Sequence, residues 1–147
     1  MRKLLFLFAL IVSAFTFVAP AQVADKDAVR VPLENYIKAH ATGDPEFALK
    51  AFHSEGNMIW IREGKYSSET FDSFIKRAFT GKPAADEEKR KNGRKIEAVD
   101  VSGNAAVARI VLDYPSVKFV DYMTLLKING EWKIVNKSFY AEPKKTQ

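Results

Sequence analysis

FVDYMTLLKINGEWKIVNKSF, residues 119–139, is the stretch that decides the fold. At its centre stands Asn129-Gly130, a dipeptide whose backbone accepts the positive φ angles of a two-residue type I′ hairpin. β-Branched, aromatic and aliphatic residues flank it, so two long strands, 117–128 and 131–141, should run antiparallel away from the turn. Counting outward gives an expected register in which Ile128 faces Glu131, Leu125 faces Ile134, Met123 faces Asn136 and Asp121 faces Ser138. Side chains alternate, so one face should carry Phe119, Asp121, Met123, Leu125, Trp132, Ile134, Asn136, Ser138 and Tyr140. The other should carry Val120, Tyr122, Thr124, Leu126, Ile128, Val135 and Phe139, with Lys133 and Lys137 among them. Both faces are largely apolar. One must cover helices, and the other is open to a partner subunit.

Upstream, the same period of two predicts strands at 94–101 and 105–113, separated by Ser102-Gly103-Asn104 and Tyr114-Pro115-Ser116. Before residue 82 the period is helical. Residues 25–42 place Val29, Leu33, Tyr36, Ile37 and His40 on one stripe, with Pro32 inside the first turns and Gly43 as the stop. Asp44-Pro45-Glu46 opens a second, short helix ending near Phe52-His53. A strand follows at 57–63, then a turn at Gly64, and Ser67 or Ser68 is expected to cap a third helix through Thr80. Residues 82–93, almost without apolar side chains, read as an exposed, mobile loop or a frayed helix. Helices followed by a meander make an α+β plan, one curved antiparallel sheet wrapped around helices.

Residues 1–21, MRKLLFLFALIVSAFTFVAPA, pair a basic start with an apolar core and a small-residue ending, the pattern of a secretory signal peptide. Cleavage after Ala21 would leave one domain, 22–147, and would lower the net charge from +5 to +3. The expected location is periplasmic or secreted, with the membrane met only during export. The chain has no cysteine, which excludes disulfide staples and thiolate metal sites. Two histidines thirteen residues apart, without supporting carboxylates, give no metal site, and no cofactor motif is present. Lys89-Arg90-Lys91 with Arg94-Lys95 is offset by Asp86, Glu87 and Glu88, so a solvated loop is expected rather than a nucleic-acid surface.

The counted register gathers Asp121, Asn136 and Ser138 within an apolar surround, which is how small-molecule sites are built. Desolvation there would disfavour the charged carboxylate, so Asp121 is a candidate acid–base group, with His53 as a candidate catalytic partner. The alternative is a structural or positioning Asp121, satisfied by a backbone amide, a cross-strand hydroxyl or a nearby lysine, and a capping or partly buried His53. Trp60, Met123, Trp132, Asn136, Ser138 and Tyr140 are the candidate ligand-binding residues. His40, on the core stripe of the first helix, reads as core.

The order of elements, together with the closing hairpin, resembles the nuclear transport factor 2-like superfamily. Within it, residues 119–139 are similar to the closing hairpin of the family described as "putative lumazine-binding". The resemblance covers about residues 25–141 and implies a cone-shaped α+β domain (cystatin-like) with a deep pocket, often dimerising through the outer face of the sheet. It also implies relatives that are isomerases, cyclases and dehydratases working with paired acids and a tyrosine. Asp121 matches one such acid by strand position, without a second acid or a matching tyrosine. The expectation is an exported pocket protein, non-enzymatic and homodimeric, binding a small, partly apolar ligand. The alternatives are an isomerase- or dehydratase-type enzyme using Asp121, and an interaction module using the outer sheet face.

Overall fold

Asn129 and Gly130 have φ angles of 51° and 86°, so both loop residues are left-handed, as a type I′ turn requires. The structure, a computed structural model, describes residues 26–145. The signal segment expected at 1–21 lies outside them. Helix α1 (Arg30–Thr42) and helix α2 (Pro45–Ala51) lead into a hairpin of β1 (Phe52–Arg62) and β2 (Lys65–Thr70). Helix α3 (Phe71–Ala78) and a single helical turn, α4 (Glu87–Arg90), precede the meander β3 (Arg94–Ser102), β4 (Ala105–Asp113), β5 (Val117–Ile128) and β6 (Glu131–Pro143).

The six strands form one curved, unclosed sheet in the order β2-β1-β6-β5-β4-β3. Every neighbouring pair is antiparallel except β1 with β6, which run parallel. The parallel pair was not legible in the sequence, because it joins the first hairpin to the last strand of the meander through space rather than through a turn. Leu33 and Tyr36 of α1 and Phe71 and Phe74 of α3 pack into one core with Ile110, Leu112, Met123, Leu125, Trp132 and Ile134 of the sheet. Fully burying one such side chain is worth about 1.5–3 kcal/mol.

Local signals mostly acted where they stand. Asp44 caps α2, its Oδ1 accepting from the Glu46 N–H at 2.9 Å, with Pro45 as the first helical residue. Gly43 ends α1, its N–H donating to the Ala39 carbonyl at 2.8 Å. The third helix begins later than expected. Ser67 and Ser68 lie in β2, paired with Trp60 and Ile59, and Thr70 is the cap, accepting from the Ser73 N–H at 3.3 Å. Pairing with β1 satisfies the backbone of 67–70, so a helix there would only forfeit ladder hydrogen bonds. β1 also starts at Phe52, directly after α2 and ahead of the expected 57–63.

The counted hairpin register holds from the turn to Leu125, which faces Ile134. There β6 carries one extra residue, Val135, and beyond it Thr124 faces Asn136, Met123 faces Lys137 and Asp121 faces Phe139. A bulge of this kind puts two residues opposite one and reverses the facing of everything beyond it. Lys137 and Phe139 therefore point inward beside Asp121, while Asn136, Ser138 and Tyr140 point outward, the reverse of the expected arrangement. The β1 side accommodates the same irregularity, its register with β6 shifting between Phe52 and Asn57. At Gly56 a Cβ would lie 2.7 Å from the Val135 carbonyl oxygen and 2.5 Å from the Phe71 ring, so the close approach requires glycine.

Candidate functional site

Tyr36 and His40 stand one turn apart on the buried stripe of α1, so both side chains lean over the inner face of the sheet. The Tyr36 hydroxyl donates to Asp121 Oδ2 at 2.6 Å and accepts from Lys137 Nζ at 2.8 Å. Lys137 Nζ also lies 3.2 Å from Asp121 Oδ2, closing a triangle that joins α1, β5 and β6. Asp121 is fully buried and Lys137 nearly so. The ammonium also sits over the Phe139 ring, 4.7 Å from its centroid. Burial, then the charge and the hydrogen bond of Asp121, push the Tyr36 hydroxyl well above its ordinary pKa, so it remains a proton donor.

Above this triangle opens a cavity of about 430 Å³. Met58, Trp60, Phe74, Leu112, Phe119 and Phe139 supply apolar walls, and Tyr36, His40 and Lys137 supply polar groups, with Arg62 and Arg77 also on the lining. Asp121 is not among the lining residues. It reaches the cavity only through Tyr36 and Lys137, which makes it a positioning residue. His40 Nε2 and Trp60 Nε1 are buried and have no hydrogen-bond partner among the described residues. Burial holds the His40 imidazole well below its usual pKa, and the charges of Lys137, Arg94 and Arg90 act the same way, so it is neutral at pH 7.

His40 is fixed from behind by a second polar cluster. The buried Arg94 guanidinium binds both Glu87 carboxylate oxygens at 2.6 and 2.5 Å, the Tyr114 hydroxyl at 3.1 Å and the His40 carbonyl at 3.2 Å. The loop expected at 82–93 is thus tied at Glu87 to the end of α1.

The candidate residues read from the sequence are dispersed. Trp60 lines the cavity. Met123 is buried on the inner face beside Asp121, opposite Lys137 in the register. Trp132 is buried but borders a separate groove with Pro32 and Lys50. Asn136 donates to Asn57 Oδ1 at 2.8 Å on the outer face, Ser138 borders an outer groove with Tyr122 and Thr124, and Tyr140 is exposed. His53 accepts from the Glu55 N–H at 3.3 Å and lies in a small separate pocket with Leu49 and Ile75. The structure therefore does not bring His53 or Asn136 to Asp121. It brings Tyr36, His40 and Lys137 instead. A tyrosine and a histidine spaced by four on an apolar stripe were the legible trace of that site, since each puts a polar tip into a core. Lys137 carried no such trace, because the bulge decides its direction.

The sequence profile of the family described as "putative lumazine-binding" matches residues 24–140. The chain belongs to that family. Its fold is shared with solved nuclear transport factor 2-like proteins of unknown function. One from Shewanella baltica is 24% identical, with 83% of this chain and 97% of that chain covered and a TM-score of 0.72. Another, from Methylobacillus flagellatus, is 28% identical, covering 82% and 94%, with a TM-score of 0.68. In sequence the chain is also similar to Aldolase FrzH of Cladobotryum sp, at 24% identity over 127 residues, 82% of this chain and 94% of that protein.

For this lumazine-binding-like domain the buried triangle generates two expectations. Lys137→Met leaves the Asp121 carboxylate buried without its cation and should cost about 3–5 kcal/mol in urea unfolding. Adding Asp121→Asn should restore at least about 2 kcal/mol of that loss, because no unpaired charge is then buried. A single variant as stable as the wild type would contradict the pairing. His40 sets a pH dependence. The unfolded histidine takes up its proton near pH 6.5 and the folded one only well below that, so stability is full above pH 6.5 and declines as pH falls. The slope is at most about 1.4 kcal/mol per pH unit. Thermal melts from pH 8 to 5 should show His40→Phe losing less than the wild type.

Proposed function

We propose that this protein is an exported binding protein whose cavity holds a small, largely apolar ligand, the ligand's polar end resting on Lys137 and the neighbouring polar groups. The carrying observation is the cavity of about 430 Å³ with aromatic walls and polar groups gathered at Tyr36, His40 and Lys137. A mostly apolar concavity with few converging polar groups is the usual build of a ligand site. The family description supports a small-molecule ligand. Export is supported by the pattern of residues 1–21 alone.

A homodimer is part of the same reading. Val107, Tyr122 and Leu126 are exposed on the outer sheet face, where α1 and α3 do not reach. Phe139, expected there from the sequence, points inward beyond the bulge and takes no part.

A second reading, catalysis, is favoured by the hydrogen-bonded triangle beside the cavity and by the likeness to a protein named as an aldolase. Lys137 makes two polar contacts and has a third N–H to give, so a ligand carbonyl oxygen set against it would be polarised by the ammonium. Asp121 would hold that ammonium in place.

Denaturing extraction of protein purified from the exported fraction, followed by mass spectrometry, should release one small compound in near-stoichiometric amount. Ala141→Phe, which places a ring on the cavity lining, should cut that occupancy at least tenfold while leaving the melt unchanged. Recovery of the same compound at equal occupancy from the variant would overturn the cavity reading. For the dimer, sedimentation at micromolar concentration should give two chains for the wild type and one for Leu126→Glu, and a monomeric wild type would refute it.

A further inference from the structure

Charges around the cavity cancel in pairs, with one exception. Lys137 is paired with the buried Asp121, and Arg77 is paired with Glu69, its NH2 lying 2.7 Å from Oε2. His40 is neutral. Arg62, exposed at the rim of the cavity where β1 ends, has no ion pair among the described residues. Its guanidinium carbon lies 5.8 Å from the centroid of the Trp60 ring. That contact packs the guanidinium on the indole and leaves its N–H groups available.

Two further observations point the same way. The register partner of Arg62 on β2 is Lys65, so two cations share one face of the hairpin. Directly opposed like charges destabilise a strand pair. Most of the remaining polar groups match the same kind of partner, while the neutral His40 imidazole and the Tyr36 hydroxyl can accept as well as donate. Trp60 Nε1 is a buried donor without an acceptor, and Lys137 and both arginines can only donate. Among the described residues that line the cavity, none is acidic.

We infer that the ligand is a monoanion, a flat apolar body bearing one ionised acidic group that sits against Arg62. The inference rests on the pocket reading above and names its ligand class. The apolar body lies against one aromatic wall formed by Trp60, Phe119 and Phe139, whose rings pack on one another, the Trp60 and Phe139 centroids 5.4 Å apart and those of Phe119 and Phe139 6.2 Å. The acidic group supplies the charge that Arg62 lacks.

A matched pair of probes separates the two claims. 1-Anilinonaphthalene-8-sulfonate and N-phenyl-1-naphthylamine share one aromatic body and differ by the sulfonate. Titrated against the full chain, with Trp60 quenching confirming that each probe enters the cavity, the sulfonate should bind at least fivefold more tightly than the neutral amine. Arg62→Gln should weaken the sulfonate three- to tenfold and leave the amine within twofold, and added salt should erode the sulfonate's advantage in the wild type. If both probes bind the wild type equally, or if Arg62→Gln leaves the sulfonate unchanged, the anion inference is overturned and the pocket reading stands. If neither probe binds, the pocket reading itself fails, and the inference with it.

Discussion

The triangle of Tyr36, Asp121 and Lys137 is the constraint on which the rest of this structure depends. A carboxylate and an ammonium are both withdrawn from water, each at a desolvation cost of several kcal/mol, and only their mutual geometry offsets it. The Tyr36 hydroxyl completes that geometry by donating to one partner and accepting from the other. A helix and the distant closing hairpin are thereby held to one arrangement: α1 lies across the sheet at one angle, and β5 and β6 meet in one register. A slip of one residue would turn Lys137 out to solvent and leave Asp121 buried and unpaired. The polar network sets the specificity of a core whose apolar packing alone would tolerate alternatives.

The bulge at Val135 makes the triangle possible. Without it, regular alternation would place Asn136 and Ser138 inside and Lys137 and Phe139 outside. With it, one lysine and one aromatic ring enter the concave face, and the ring joins Trp60 and Phe119 in the cavity wall. The irregularity is shared between strands, since Gly56 of β1 lets its backbone pass against the Val135 carbonyl and the Phe71 ring. Positions 56 and 135 therefore act together to aim a side chain two residues further along.

The cavity follows from these placements. Its walls are apolar positions of β1, β4, β5 and β6 together with Phe74 of α3, and the neighbouring polar groups are those the triangle and the Arg94 cluster hold still. Asp121, the group with the most evident chemical promise in the sequence, does not touch the cavity. Its influence passes through Lys137 and Tyr36, which do.

The sequence by itself determined most of the elements and the family. Asn129-Gly130 set the turn, Asp44-Pro45 and Gly43 set helix ends, and periods of 3.6 and then 2 set helices before strands, because each of these signals is local in the chain. Trp60 as a pocket residue was legible for the same reason, an aromatic on an alternating strand. The site was decided only by tertiary structure. Whether Lys137 faces in or out depends on a one-residue insertion in strand pairing, and the alternation of side chains carries no record of it. Tyr36 and His40 were visible as a stripe, yet their use as polar groups depends on which strands that stripe covers. The parallel contact of β1 with β6, and with it the enclosure of the cavity, joins residues roughly eighty positions apart. No local preference encodes such a contact. It forms because curving the sheet over α1 and α3 buries the apolar faces that the local signals had already created.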